Sequence, residues 1–299
     1  AEVKAITRAI GDTSFSMVGG RKIGKTSVLT HVHRLLQEMP AYRPFYLDCQ
    51  AVHDYGALAA AMVDAWELSP LGELAPERFG QVLSQLPADD GMPVLLLDEV
   101  DELLAHDVDQ REPLFRAFRA LSQEGRCRFV FCGESVLSAR LGDAASPLFN
   151  FCQVLHLGFL ERQDARAMIL EPLAEMGIPV READSVVDAI LDITSCHPNL
   201  VQYVCQQMLV QINDQGEREI APATVRSVIG SRFFVDYYLS ITWGSATALE
   251  KIITLLMVDQ PLVTVHDLVD RLRAQHALYV SREEVVAALD HLVLCSVLD

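Results

Sequence analysis

The chain has 299 residues, 51% of them apolar, and a formal net charge of −17. That length suits about two domains whose cores need no disulfide or metal staple, and no apolar run approaches the roughly 18 residues of a membrane span. The acidity argues against nucleic acid as a partner, because phosphate backbones are gripped by cationic surface that displaces their counterions.

Taken in chain order, apolar β segments are predicted at Ser14–Val18, Phe45–Leu47, Val94–Leu97, Phe129–Phe131 and Val154–Leu157. Between them run helical patterns, such as Val28, Val32, Leu35, Leu36 and Met39, which Pro40 ends. Short strands apolar on both faces and spaced by helices predict an α/β fold with a parallel sheet covered on both sides. From Glu161 the pattern turns helical: "ERQDARAMILEPLAEMGI", then "ADSVVDAILDITSCHPNLVQYVCQQMLVQIN" as two helices broken at Cys196–Pro198, then a turn in "NDQGEREIAP". From about Ser245 a compact unit follows, with helices in "ATALEKIITLLMV", "TVHDLVDRLRAQ" and "SREEVVAALDHL". Thr264 with Asp267 and Ser281 with Glu284 match capping boxes, and "VLCSVLD" reads as the first wing strand of a cut-off winged helix. The expected domains are residues 1–158, a nucleotide-binding domain; 159–240, a helical lid; and 241–299, a truncated winged helix.

Seven cysteines are scattered without CxxC spacing, which predicts reduced thiols and a cytoplasmic compartment. No secretory signal is read at the start of the chain. The nine histidines form no metal pattern: His31 and His33, two apart on a helix, face nearly opposite ways.

The chemistry concentrates in "SMVGGRKIGKTSVL". Gly19, Gly20, Arg21, Lys22, Ile23, Gly24, Lys25 and Thr26, continued by Ser27, fit G-x-x-x-x-G-K-[ST] between a strand and a helix. Glycines let the backbone curl so that amide N–H groups converge on phosphate oxygens, and the helix adds its positive end. Lys25 is placed to reach the β- and γ-phosphates and the Thr26 hydroxyl to ligate magnesium. A second stretch, "MPVLLLDEVDELL", ends a buried strand in Asp98 and Glu99. Asp98 is the candidate to hold magnesium through water, and Glu99 the candidate general base for the attacking water. Acids also follow strands at ordinary loop starts, and Asp101 and Glu102 read as a solvated rim.

With "VGGRKIGKTSVL", "VLLLDEVDEL", "SPLFNF" and "TSCHPNLVQYVC", the chain resembles the STAND-type signalling ATPases, relatives of AAA+ proteins and NACHT-like in character, in their bacterial branch. The resemblance spans nearly the whole chain and implies a P-loop domain, a lid and a winged helix in that order. It implies ATP/ADP and Mg2+ as cofactors, and an adenine contact at Pro198, although from the residues alone the proline is also readable as mere helix punctuation. It places "CGES" in a sensor region, where Glu134 or Ser135 would watch the γ-phosphate, and makes Arg140 the candidate arginine finger. A plain turn and a surface arginine are the competing readings. The upstream hydrophobic-glycine-arginine motif of the family is missing from "AEVKAITRAIGDT", and no effector or sensor module is present.

The main functional expectation is a regulatory switch with slow ATP hydrolysis. In its ATP form it would assemble with copies of itself and activate a fused effector. The alternative is an origin-recognition-like AAA+ ATPase that loads onto DNA. Residues 245–299 hold one lysine and three arginines against eight acids, which weighs against reading DNA with that unit. A scaffold without turnover is a third reading, opposed by the intact Lys25, Thr26, Asp98 and Glu99.

Overall fold

The computed structural model describes residues 1–299 except 53, 70, 71, 73, 74, 88, 89, 245, 260–262, 296 and 299. Two compact units emerge, one of Ala1–Gly19 and Gly24–Leu157, the other of Gly20–Ile23 and Gly158–Asp299.

The first unit runs α1 (Glu2–Ala9), β1 (Ser14–Val18), α2 (Lys25–Gln37), β2 (Tyr42–Asp48), α3 (Tyr55–Ala65), α4 (Gly80–Leu83), β3 (Met92–Asp98), α5 (Asp101–Asp109), α6 (Pro113–Gln123), β4 (Arg128–Gly133), α7 (Ser135–Gly142) and β5 (Cys152–His156). Five parallel strands pair in the order β2-β3-β4-β1-β5. All five residues of β1 are buried, as are Val94–Asp98 of β3, which is why these strands read as unbroken apolar runs. β5 lies at an edge of the sheet, and its Val154 is exposed. Leu157 falls outside β5, although its N–H donates to Val18 O.

Helices press on the sheet through regular apolar spacing. Leu29, Val32 and Leu36 of α2 are buried at three- and four-residue steps. On α6, Phe115 and Phe118 are buried against Phe129 and Phe131 of β4, with ring centroids 4.7 Å apart for Phe118 and Phe129. The buried Asp107 carboxylate accepts the Leu114 and Phe115 N–H groups, both at 3.0 Å, and so caps α6 from the preceding helix. α1 has no counterpart among the sequence expectations. It is short and half polar, and Ile6 is its buried residue.

The second unit contains α8 (Arg162–Glu175), α9 (Ala183–Thr194), α10 (Pro198–Gln215), α11 (Pro222–Ile229), α12 (Arg232–Thr242), α13 (Ala248–Asp259), α14 (Val265–His276) and α15 (Arg282–Leu294). One apolar cluster joins α8 to α12, centred on Ile169, Ile190, Val204 and Val225. Another joins α13 to α15 through Ile253, Leu272 and Leu292. α9 ends where Ser195 and Cys196 turn left-handed, and Pro198 opens α10 at a position whose N–H has no helical partner anyway. α10 continues through Gln215, so the expected turn starts only at Gly216. Both capping boxes form as expected. The expected wing strand does not: Val293 and Leu294 complete α15, and no strand follows among the described residues. Ser296 and Asp299 of that stretch, and Ser245 at the expected start of the unit, lie outside the described residues.

Candidate functional site

β1 delivers the chain into the loop at Gly19, and Gly24 returns it to α2. Gly24 has φ +103°, a left-handed conformation that L side chains rarely adopt, which accounts for the glycine. α2 starts without a side-chain cap and without an acid in its first turn. Its first amides and positive dipole end are therefore left to an anion. Thr26 and Ser27 are exposed in that first turn, whereas Lys25 is 4% exposed. The Lys25 Nζ donates to Gly19 O at 2.9 Å and lies 3.3 Å from Glu134 Oε1.

The acidic side is built by β3 and the residues after it. Asp98 is 1% exposed. Its Oδ1 accepts the Glu99 N–H at 3.1 Å and its Oδ2 the Tyr46 hydroxyl at 3.3 Å. Burial pushes the Tyr46 phenol up to about 12, with the neighbouring Asp98 charge adding to it, so Tyr46 stays a donor. Glu99 sits at φ +50°, an uncommon conformation for a residue with a Cβ and one concentrated at functional sites. Burial pushes its carboxyl above the ordinary range; Lys25 opposes this, and Glu134, Asp98 and Asp101 reinforce it.

Asp101 corrects the expectation of a solvated rim. Its carboxylate accepts N–H groups from Glu134 at 2.7 Å, Val136 at 2.8 Å and Leu137 at 3.2 Å, fastening the start of α7 to α5. Glu102 is exposed, as the rim reading expects. Of the two sensor candidates, Glu134 reaches Lys25 while Ser135 is exposed at the first turn of α7. Arg140 is engaged within its own unit: its Nε donates to Glu112 Oε1 at 3.1 Å and its guanidinium also pairs with Asp143. Those two carboxylates make Arg140 an ion pair that braces α7.

Gly133 makes the Asp101 clamp possible. A Cβ there would run into the Asp101 carboxylate and lie 2.8 Å from Leu137 Cβ. Gly133→Ala is therefore expected to destabilise the chain by about 1–3 kcal/mol through overpacking. A lower denaturant midpoint with an unchanged slope would verify this.

In the second unit Pro198 is buried at the start of α10. Beside it, a cavity of about 220 Å³ is walled by residues that include Arg21, Phe159, His197 and Leu200. Arg21 and Lys22 are exposed, and Lys22 Nζ lies 5.3 Å from the Tyr237 ring centroid. Ile23 is buried. Tyr46, which donates to Asp98, and Asp101, which anchors the start of α7, are the neighbours that local sequence patterns do not single out for a phosphate site.

The residues fit a nucleoside triphosphate with magnesium. An uncapped helix start and a buried ammonium match phosphate oxygens, and the buried Asp98 carboxylate and the exposed Thr26 hydroxyl are hard oxygen donors. The family model described as "AAA domain" matches residues 11–141. No curated protein matches. Among solved structures, the Aeropyrum pernix ORC2 protein in its ADPNP–ADP complexes has a TM-score of 0.67 at 15% identity, covering 100% of this chain and 86% of that one. A Walker-type ATPase of Pyrococcus abyssi scores 0.67 at 14% identity, covering 98% and 88%. The A. pernix ORC1 protein in complex with DNA scores 0.55 at 16%, covering 98% and 82%. At such identities the likeness is one of fold. No helix among the described residues is long and apolar enough to cross a membrane. Residues 11–141 thus match the AAA domain on an α/β P-loop fold with a five-stranded parallel sheet, followed by a helical region as in the origin-recognition structures.

Proposed function

We propose that this chain binds ATP and ADP with Mg2+, hydrolyses ATP slowly, and acts as a nucleotide-operated switch. The observation that carries the reading is Lys25, a buried ammonium at the mouth of an uncapped helix, set among Asp98, Glu99, Asp101 and Glu134. In this reading the loop from Gly19 to Ser27 wraps the phosphates, Lys25 binds the β- and γ-oxygens, and Thr26 and Asp98 hold the metal. When bound, magnesium would neutralise charge on those oxygens. Glu99 takes the proton of the attacking water on its carboxylate, and Glu134 trades its pairing with Lys25 for the arrival of a γ-phosphate. The proposal includes the lid (159–240), with an adenine contact at Pro198, and the winged helix (241–299). Their response is a shift between two shapes, which needs about 5.5 kcal/mol of differential nucleotide affinity to go from mostly one to mostly the other.

Two outputs compete. The STAND-type output is ATP-dependent self-assembly that activates a fused effector. The second is loading onto DNA, and the solved structures similar in fold favour it: they include origin-recognition proteins, one of them bound to DNA. They weaken the expectation that nucleic acid is no partner. Surface charge supports the first output. The exposed positions of α15 include Glu283, Glu284 and Asp290 against Arg282 alone, an unfavourable face to insert in a groove. Light scattering of the chain with ADP and with ATP, alongside titration of duplex DNA at several salt concentrations, separates them. Mass growth in ATP without salt-dependent DNA binding is the expected result. A steep fall of DNA affinity with salt and an unchanged mass would replace the first output with the second.

A further inference from the structure

Cys295 sits one turn beyond His291 at the end of α15, and its N–H donates to His291 O at 2.9 Å. The Cys295 Sγ lies 3.5 Å from His291 Nε2. His291 Nδ1 lies 2.9 Å from Oε1 of Glu250 on α13, whose Oε2 accepts the Thr247 N–H at 2.7 Å. The Glu250 side chain is 7% exposed, so the carboxylate that orients the imidazole is itself held in place. A thiol, an imidazole and a carboxylate in series is the arrangement that activates a sulfur nucleophile. The contact with Cys295 foremost, and Glu250 behind it, push His291 up to about 9 against the effect of burial, which keeps the ring able to carry a proton.

A second observation marks a ligand site. Cys295 and His197 line the same cavity of about 220 Å³. His197 is 5% exposed, and its Nδ1 has no hydrogen-bond partner among the described residues. A buried ring nitrogen without a partner is uncommon, and a ligand bearing an O–H group would offer one. The other half-buried thiols lack this company. Burial pushes Cys152 and Cys205 up to about 12 and raises Cys196, so they stay protonated and slow.

We propose that Cys295 is a modification site for small hydroperoxides, activated by His291 and Glu250 and reached through the cavity that His197 lines. The Cys295 thiolate attacks one peroxide oxygen, an S–O bond forms, and the O–O bond breaks. The leaving hydroxide or alkoxide takes the proton of the His291 imidazolium and departs as water or alcohol. Sulfur is oxidised to a sulfenic acid and the peroxide is reduced. The thiol chemistry itself needs no nucleotide, although Arg21 of the phosphate loop walls the same cavity.

The test treats the intact chain with one equivalent of hydrogen peroxide, traps sulfenic acid with dimedone and quantifies each cysteine by peptide mass spectrometry. Cys295 is expected to be labelled about ten-fold faster than Cys152, Cys196 or Cys205, and His291→Gln to remove that advantage at Cys295 alone. Cys295→Ser should leave no fast site. Labelling of Cys295 no faster than Cys205 overturns the proposal, and that comparison needs no variant to fold. An undiminished Cys295 rate in a folded His291→Gln chain overturns it as well.

Discussion

Lys25→Ala is expected to weaken ATP binding by about 100-fold or more while the chain stays folded. A charge-assisted hydrogen bond is worth about 1.5–3 kcal/mol, and a buried ammonium offers two or more to a triphosphate. About 2.8 kcal/mol already corresponds to a factor of 100. The geometry adds a second cause. Lys25 is the cation that opposes the raised carboxyl of Glu99, and it pairs with Glu134. Without it, the carboxylates of Asp98, Glu99, Asp101 and Glu134 lose a neighbouring positive charge just where the phosphates arrive. The loss should therefore be larger for ATP than for adenosine, which brings no phosphate to repel. Calorimetric titration with ATP, ADP and adenosine would check both the size and the order. Unchanged ATP affinity in a folded variant would remove the foundation of the proposed function.

The parts of this site that sequence made legible are those whose chemistry is contiguous. The phosphate loop states its turn, its cation and its hydroxyl within eight residues, and Asp98 and Glu99 follow directly on a strand too apolar to be anything but buried. What stayed hidden depends on strand order. β4 pairs with β1, with Val18 opposite Gly133, so the residue after β4 arrives beside the loop after β1. That register is why Glu134 meets Lys25 across 109 positions, and no local spacing announces it. Asp101 looks like an ordinary first-turn acid, and only the packing of α5 on α7 turns it into a cap for another helix. Arg140 has the location of a finger, but Glu112, brought by the left-handed turn before α6, takes its guanidinium. The finer family assignment is hidden for a different reason. The lid and winged helix proposed for residues 159–299 suit both proposed outputs, and what would separate those outputs lies outside the phosphate site.

Glu99→Gln is expected to lower ATP hydrolysis by about 10²–10⁴-fold and to leave ATP binding intact. Glutamine keeps the shape and the donor–acceptor reach of the side chain but cannot accept the proton of the attacking water. It also removes one negative charge from the cluster beside Lys25, so affinity should hold or rise. The pH dependence follows from the raised carboxyl of Glu99. The base must be ionised to work, so the wild-type rate should fall as pH drops through that raised value, above the 4.5 of an ordinary glutamate. Glu99→Gln should show no such acid limb in its residual rate. Stability has the opposite sign. A carboxyl raised on folding stabilises the native state most below its unfolded value, and that contribution is lost as pH rises through the folded one. At neutral pH the ionised Glu99 is therefore a cost, and the glutamine variant should unfold at an equal or higher denaturant concentration than the wild type. A variant that is at least as stable, still binds ATP and no longer turns it over would isolate Glu99 as a group kept for chemistry rather than for folding. Equal turnover in the two proteins would instead require another base in that acidic cluster.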